Sequence, residues 1–296
     1  MIKAGFIGCV ESSRAALQTL LEVDGLKIAA VVTRNGSAVN ADFCNLTDLC
    51  QENGVPFTYE DPGARENSVC FFESFDLDII FCVGWSYILS ERMLALPRQG
   101  VIGYHPASLP SNRGRHPIIW ALTLGLEETA STLFFMDHGA DSGPIVSQVP
   151  VSIESSDNAT DLYKKMIDVL KIQLIEIGSE LVAGTLTSKK QDHSRASYWR
   201  KRSRKDGTID FRMNAATIHN LVRALAPPYP GAEFIFQERY ISVNRSLISK
   251  DFYRNNIEPG KVLSKTGCDL LVKAAGNQAI WLLDVDCSQI NVGDYL

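Results

Sequence analysis

The apolar run DIIFCV at residues 78–83 is the sequence feature that most constrains the fold. It lacks the alternating polar residues of a half-exposed strand, so it predicts a strand buried on both faces, as in a parallel sheet covered by helices. The N-terminus agrees, because it predicts a strand at Lys3–Ile7, a helix at Arg14–Val23 and a strand at Ile28–Thr33. Such a βαβ unit implies a parallel sheet with a right-handed crossover. A second helix is predicted over Asn40–Asn53.

The character of the sequence changes near residue 206. Residues 189–205 carry eight Lys or Arg against one Asp, and short β-prone runs with one helix follow. We therefore predict an α/β domain over residues 1–188, a basic linker over 189–205 and a smaller, mostly β domain over 206–296. A solvated charge run is the usual interpretation of such a linker. The alternative is a flexible basic arm that meets substrate phosphates.

Composition limits the cellular setting and the partners. The 296 residues contain no apolar run near the roughly 18 residues of a membrane span, and the N-terminus does not resemble a signal peptide. Seven cysteines without a CxxC pair argue against a metal or redox site and are typical of buried thiols in a reducing cytoplasm. The net charge of −5 argues against a nucleic-acid partner. We therefore expect a cytoplasmic protein with no metal, no membrane partner and no nucleic-acid partner.

His105 is the first candidate for chemistry, because it ends the predicted strand Val101–His105 just before a Pro-rich loop. Ligand sites of open α/β sheets lie at such strand ends, and a histidine there can act as a general base near neutral pH. A second predicted strand, Ser131–Met136, runs into a turn that carries Asp137 and Asp141. A carboxylate that orients an imidazole is the usual second member of such a site. A lone histidine at a strand end more often has a structural role, and the second motif is what favours catalysis.

Two motifs in this region resemble those of the formyltetrahydrofolate-dependent formyltransferases. They are His-Pro-x-x-Leu-Pro-x-x-Arg-Gly from His105 and Met-Asp-x-Gly-x-Asp-x-Gly from Met136. The segments Pro97–Gly100, Asp206–Phe211 and Ala224–Gly231 extend the resemblance to nearly the whole chain. The resemblance implies an α/β fold with a Rossmann-like parallel sheet in the N-terminal domain and a barrel-like C-terminal domain. It also makes residues 1–188 the formyltransferase catalytic domain.

The chain departs from the family pattern at Gly103, where the family has an asparagine two residues before the histidine. Residues two apart in a strand share a face, so Gly103 is expected to leave a gap beside His105. The lost oxyanion donor could be replaced by the amide of Asn112, by His116 or by a water in the gap. Gly103 could also make room for a bulkier acceptor, with His105 alone serving the oxyanion. We favour Asn112, because it alone offers the lost functional group near the site.

The remaining roles are implied by the resemblance, with 10-formyltetrahydrofolate as the co-substrate. His105 would move the proton from the attacking to the leaving nitrogen, and Asp141 would hold its tautomer or relay a proton through water. The residues expected to bind the folate are Trp85, Tyr87, Ile88, Leu89, Asp137 and His138. The residues expected to bind the acceptor are Glu11, Arg113, Arg115 and His116.

The resemblance leaves three possible acceptors of the formyl group. Glycinamide ribonucleotide enzymes normally lack a second domain, so this acceptor is set aside. Residues 207–296 carry nine basic and nine acidic residues, a balance that does not favour transfer RNA. A nucleotide-linked amino-deoxy sugar of surface-glycan synthesis needs only local positive charge and is therefore the favoured small-molecule partner. Methionyl-tRNA formylation and a non-catalytic folate or nucleotide-sugar binding homologue stay as alternatives, and the sequence is compatible with a homodimer.

Overall fold

A seven-stranded sheet organises the N-terminal part of the computed structural model, which describes residues 1–37, 41–61 and 63–296. The elements up to residue 199 are β1 (Ile2–Ile7), α1 (Glu11–Leu21), β2 (Leu26–Thr33), α2 (Thr47–Glu52), β3 (Phe57–Tyr59), α3 (Glu66–Glu73), β4 (Ile79–Cys82), α4 (Glu91–Ala95), β5 (Val101–His105), β6 (Arg113–Gly114), α5 (Pro117–Thr123), β7 (Glu128–Phe135), β8 (Ile145–Ser152), α6 (Ala159–Ala183) and β9 (Tyr198–Trp199).

The strand order of this sheet is β3-β2-β1-β4-β5-β7-β8. The pairs β1–β2, β2–β3, β1–β4 and β4–β5 are parallel, and β7 runs antiparallel to β5. The chain reverses its direction of travel across the sheet between β1 and β4, and the carboxyl ends of open α/β sheets bind ligands near such a point. The predicted α/β class and the mostly parallel sheet are confirmed.

Two apolar layers cover the sheet, which explains why β4 has no polar residue. One layer contains Leu17 and Leu20 of α1 and Leu170 and Leu174 of α6, packed on strand residues such as Phe6. The other layer is built on α3 and α4, for example through Phe72 and Met93. Every residue of β4 is buried, as the uninterrupted apolar run predicts.

The second half of the chain is mostly β. Its elements are α7 (Ala215–Ala224), β10 (Ala232–Phe236), β11 (Arg239–Val243), β12 (Arg245–Ile248), β13 (Val262–Thr266), β14 (Asp269–Lys273) and β15 (Ala279–Leu283). Strands β10 and β11 form an antiparallel pair, and a four-stranded sheet has the order β12-β15-β14-β13. Helix α7 packs on β12 and β15, and the side chain of Asn214 caps it by accepting from Thr217 N. A smaller, mostly β C-terminal part is confirmed.

The chain contacts divide into two compact units. The first holds residues 1–117, 129–151 and 164–199, and the second holds residues 118–128, 152–163 and 200–296. Within the first unit, β9 pairs in parallel with β6, Arg113 opposite Tyr198 and Gly114 opposite Trp199. Residues 189–199, which we call the returning segment, therefore belong to the first unit, and most of their side chains are exposed.

Three sequence expectations need adjustment. The predicted helix over 40–53 is shorter, since α2 starts at Thr47, and Asn40 itself lies outside the described residues. Helix α1 starts at Glu11, earlier than predicted. Four cysteines are buried, but the expectation of buried thiols is wrong for Cys70 and Cys268, which are exposed. In the described part of the chain, no helix has the length and apolar character needed to cross a membrane.

Candidate active site

His105 ends β5, and its imidazole is held on one side by the main chain of the next loop. The ring is only 6% exposed, and Nε2 donates to the carbonyl oxygen of Asn112 at 2.8 Å. That carbonyl can only accept, so it keeps the proton of the neutral ring on Nε2. Nδ1 then carries the free lone pair, and it lies 3.6 Å from Asp141 Oδ2. The structure brings the two predicted catalytic residues together, and the tautomer of His105 is set by a carbonyl group.

Asp141 is held at its carboxylate by the backbone of β6. Its Oδ2 accepts from Gly114 N at 2.8 Å, and the carboxylate retains 22% exposure. The Asp141 backbone has a φ of +53°, in the left-handed region that costs energy for residues other than glycine. A main-chain donor and an unusual backbone conformation together aim this carboxylate at His105.

The turn that carries Asn112 also has a specialised backbone. Asn112 and Gly114 have φ values of +65° and +105°. At Gly114 a Cβ atom would lie 2.3 Å from the carbonyl oxygen of Trp199, so only glycine permits this approach of β6 to β9. Backbone strain of this kind concentrates at functional sites.

The side-chain amide of Asn112, predicted as the oxyanion donor, contacts the returning segment. Ser197 Oγ accepts from Asn112 N at 2.9 Å and donates to Asn112 Oδ1 at 3.4 Å. The contact with His105 is made by the Asn112 carbonyl. The oxyanion role of the amide stays a prediction, and the main-chain role is an addition that the sequence did not reveal.

The gap expected at Gly103 is filled, which corrects the idea of an empty space or a trapped water. An added Cβ would lie 2.7 Å from Met136 Cγ and 3.1 Å from its Sδ. Met136 follows β7 and packs with the apolar layer on α3 and α4. A flexible thioether side chain is suited to filling such an irregular space. Met136 therefore occupies the volume in which the family places the first atoms of an asparagine.

We expect Gly103→Asn alone to lower the free energy of unfolding by about 1–3 kcal/mol, because the new side chain overpacks against Met136. The same change should cost at least about 1 kcal/mol less in a Met136→Ala background, since contacting residues are coupled. Denaturant unfolding of the wild type, the two single variants and the double variant measures the coupling energy between positions 103 and 136. Gly36→Asn is the control, because an added Cβ there meets nothing within 4 Å. Equal costs of Gly103→Asn in both backgrounds would remove Met136 as the obstacle.

A cavity of about 340 Å³ lies among α3, α4 and the ends of β1 and β2. Of the predicted folate residues, Trp85, Ile88 and Leu89 line it. Tyr87 contacts Trp85 edge to face, with ring centroids 5.9 Å apart. Apolar and aromatic walls of this kind suit a flat heterocycle. Two cations that the sequence analysis missed, Arg34 and Arg65, lie 5.0 and 4.8 Å from the centroid of the Tyr87 ring.

The other two predicted folate residues lie in the turn before Asp141. Asp137 Oδ1 accepts from Gly139 N at 2.9 Å and from Ser142 Oγ at 2.6 Å, so this side chain shapes the turn itself. His138 is 74% exposed, and its Nδ1 lies 3.7 Å from Glu91 Oε1. The expectation that Asp137 and His138 contact the folate stays a prediction.

The predicted acceptor residues differ in their environment. Arg113 is 1% exposed and its guanidinium is bonded within the protein, so it has no exposed donor for a phosphate and we remove it from the acceptor site. Arg115 Nη1 donates to the carbonyl of Ser86 at 3.0 Å and so supports the loop after β4. His116 is half-buried with a φ of +56°.

Glu11 is exposed at the first turn of α1, and three backbone donors at this helix end have partners within the protein. The N–H groups of Cys9 and Val10 donate to Ser13 Oγ, and that of Glu11 donates to the carbonyl of Asp42. Ser13 Oγ in turn donates to the carbonyl of Val83 and bridges β1 and β4. These donors are therefore occupied, and a helix-end anion site of the kind found after the first strand of many α/β folds is not available through them.

The arrangement at the end of β5 is suited to proton transfer. An amine or water beside Nδ1 of His105 and Oδ2 of Asp141 could lose a proton to the imidazole, and the carboxylate would stabilise the resulting imidazolium. Burial raises the pKa of the Cys82 thiol, in the neighbouring strand β4, above its usual range and so disfavours the thiolate form.

Comparisons with known proteins identify the family and the fold. A family model for formyl transferases matches residues 24–177, and a model for the formyl transferase C-terminal domain matches residues 201–295. The fold is similar to that of WlaRD, a sugar 3N-formyl transferase crystallised with dTDP and 5-N-formyl-THF. The two are 18% identical with a TM-score of 0.70, over 95% of this chain and 97% of that one.

Two further structures show the same fold. An N-formyltransferase from Helicobacter canadensis, in complex with folinic acid and dTDP-3-aminofucose, is 17% identical with a TM-score of 0.72, over 95% of this chain and 99% of that one. Methionyl-tRNA formyltransferase from Clostridium thermocellum is 14% identical with a TM-score of 0.58, over 83% of this chain and 93% of that one. The N-terminal family model alone covers more than half of the residues, and the chain belongs to the formyl transferase family.

Proposed function

We propose that this protein transfers the formyl group of 10-formyltetrahydrofolate to the amine of a nucleotide-linked amino-deoxy sugar, in the cytoplasmic synthesis of surface glycans. The observation that carries the proposal is the pairing of His105 Nδ1 with Asp141 Oδ2 at 3.6 Å, at the end of a buried parallel strand. Because the chain belongs to the formyl transferase family, we infer that such a pair would transfer protons during formyl transfer.

In the proposed reaction the neutral amine attacks the formyl carbon and a carbon–nitrogen bond forms. Nδ1 of His105 takes the proton that the attacking nitrogen must lose, and Asp141 stabilises the imidazolium. The bond between the formyl carbon and the folate nitrogen then breaks, and the imidazolium returns the proton to that leaving nitrogen. We keep the Asn112 amide as the proposed oxyanion donor, since it lies in the turn next to His105.

The co-substrate is proposed to use the cavity beside the loop after β4. Its walls include Trp85, Ile88 and Leu89, which suit a pterin ring. Arg34 and Arg65 supply positive charge next to Tyr87, and this charge would favour the carboxylates that a folate carries. Asp137 and His138 are proposed to contribute through the turn that precedes Asp141.

The nucleotide sugar is favoured over transfer RNA for two reasons. The 207–296 segment has equal numbers of basic and acidic residues, so it offers no net attraction to a polyanion. Two similar structures match over nearly their whole length. One is a sugar 3N-formyl transferase, and the other is an N-formyltransferase in complex with dTDP-3-aminofucose. Arg115, His116 and Glu11 are proposed as the acceptor-binding residues, with Arg115 also tying the loop after β4 to the turn after His105.

The test is a formylation screen of UDP- and dTDP-linked amino sugars with 10-formyltetrahydrofolate, read as the mass gain of one formyl group. We expect turnover of at least one amino sugar and no efficient, salt-sensitive formylation of methionyl-tRNA. Reactions without the folate or with a non-aminated sugar nucleotide are the controls. Binding of folate and sugar nucleotide without any turnover would instead indicate a non-catalytic homologue, and efficient formylation of methionyl-tRNA would replace the sugar assignment.

A further inference from the structure

The charged side chain of Arg113 is buried in the first unit and needs acceptors there. It is 1% exposed, and a guanidinium has five donor hydrogens and no acceptor, so burial without partners would be costly. Its Nη2 and Nε donate to Gln191 Oε1 at 2.6 and 3.3 Å, and its Nη1 donates to the Tyr198 hydroxyl at 2.9 Å. His193 Nδ1 lies 3.2 Å from Nη2. All three partners belong to the returning segment.

Gln191 passes this interaction on to the loop that carries Asp141. The glutamine is 7% exposed, and its Nε2 donates to the carbonyls of Asp141 at 2.9 Å and of Gly143 at 2.7 Å. Its oxygen faces the guanidinium and its nitrogen faces the two carbonyls. The opposite orientation of the amide would place donors against donors and acceptors against acceptors, so Arg113 selects the orientation that holds the loop.

Asp141 is thereby fixed at two points. Gln191 holds its main-chain carbonyl, and Gly114 N holds its carboxylate. Both supports originate in β6, because Arg113 orients Gln191 and Gly114 is the next residue. The left-handed backbone conformation of Asp141 persists only if the surrounding structure stabilises it, and these two contacts do so.

We propose that Gln191 is a positioning residue for proton transfer, which acts by holding Asp141 within reach of His105. The inference rests on the proposed function, since Asp141 is the group through which Gln191 acts. It assigns a role to a residue 50 positions from Asp141 in a segment that otherwise reads as a linker.

The decisive variant is Gln191→Glu, which keeps an acceptor for Arg113 and replaces the donor nitrogen with an oxygen that repels the two carbonyls. We expect kcat to fall about 10- to 100-fold, because small displacements of a reacting group have effects of this size, with both KM values within about 3-fold. In an Asp141→Asn background the same change should lower kcat by less than about 2-fold, because residues that act as a unit are not additive.

Gln173→Glu is the matched control. Gln173 is also buried, and its amide nitrogen also makes two hydrogen bonds, to the carbonyl of Ser131 and to Ser147 Oγ, but it contacts β7 and β8 and not the Asp141 loop. We expect the kcat of Gln173→Glu to stay within about 3-fold of the wild-type value, measured at a temperature where the variant is folded. Gln191→Met, which removes the donors without adding an acidic group, replaces Gln191→Glu if the latter does not fold.

Amide hydrogen exchange gives a readout that needs no activity. Peptides covering residues 137–143 should exchange faster in Gln191→Glu than in the wild type and should be unchanged in Gln173→Glu. If the wild type formylates no acceptor, the proposed function fails while exchange still tests the positioning role. The proposal is overturned if hydrogen exchange over residues 137–143 is unchanged in Gln191→Glu. It is also overturned if the wild type is active and Gln191→Glu keeps a kcat within about 3-fold of it. A third contradicting result is that Gln191→Glu lowers kcat as much in the Asp141→Asn background as in the wild type.

Discussion

Replacing His105 by alanine should lower kcat by about 10²–10⁴-fold and leave the affinity for the folate co-substrate nearly unchanged. The imidazole is buried at the end of β5, bonded at Nε2 to the Asn112 carbonyl and open at Nδ1 toward Asp141. Its removal takes away the proposed proton acceptor, while none of the cavity residues that we propose for folate is changed. Single-turnover formylation and a folate titration measure the two quantities.

His219→Ala is the control for this substitution. His219 lies in α7 of the second unit, where its Nδ1 lies 2.9 Å from Ser246 Oγ. We expect it to alter stability and to leave kcat nearly unchanged. If His105→Ala retains activity within a few-fold of the wild type, His105 has no part in proton transfer and the proposed mechanism is wrong.

Asp141→Asn should preserve the fold and lower kcat by about 10²–10⁴-fold. Asparagine tolerates the left-handed backbone of this position and retains an oxygen that can accept from Gly114 N. The amide cannot stabilise an imidazolium, however, so the proton held by His105 loses its counter-charge. Steady-state kinetics and circular dichroism of the variant separate a chemical loss from an unfolded protein.

The double variant His105→Ala with Asp141→Asn tests whether the two residues form one unit. We expect it to be hardly less active than His105→Ala alone, because Asp141 acts through the imidazole. Ser142→Ala is a suitable control beside Asp141, since it removes a hydrogen bond to Asp137 and leaves the carboxylate of Asp141 in place. Losses that multiply in the double variant would show that Asp141 works independently of His105.

The backbone of the site could be predicted because it depends on local patterns. The strand Val101–His105 is observed with its predicted limits, and the pairing of β5 with β7 brings His105 and Asp141 together. Helix α1 starts before Arg14 because Ser13 Oγ accepts from the preceding N–H groups, a detail of hydrogen bonding that periodicity does not contain.

Other parts of the site depend on contacts between distant residues, which one sequence does not reveal. A basic residue next to a predicted active site was expected to face a phosphate, yet Arg113 is buried because Gln191 and Tyr198 supply acceptors from far along the chain. Likewise, the volume opposite Gly103 is filled by Met136, and Asn112 contacts His105 through its carbonyl. Side-chain chemistry alone could not predict a main-chain contact or a filled space.

The pairing of β6 with β9 decides where this protein can be joined to the C-terminal domain of another protein. A chimera that joins another C-terminal domain at residue 188 would discard Gln191 and Ser197, the partners of the Asp141 loop and of Asn112. A junction after Trp199 would keep them, together with the strand pair that holds Gly114 against Trp199. The N-terminal part that can be exchanged as one piece therefore ends after β9. A domain boundary would ordinarily be drawn earlier, at the end of the long helix α6.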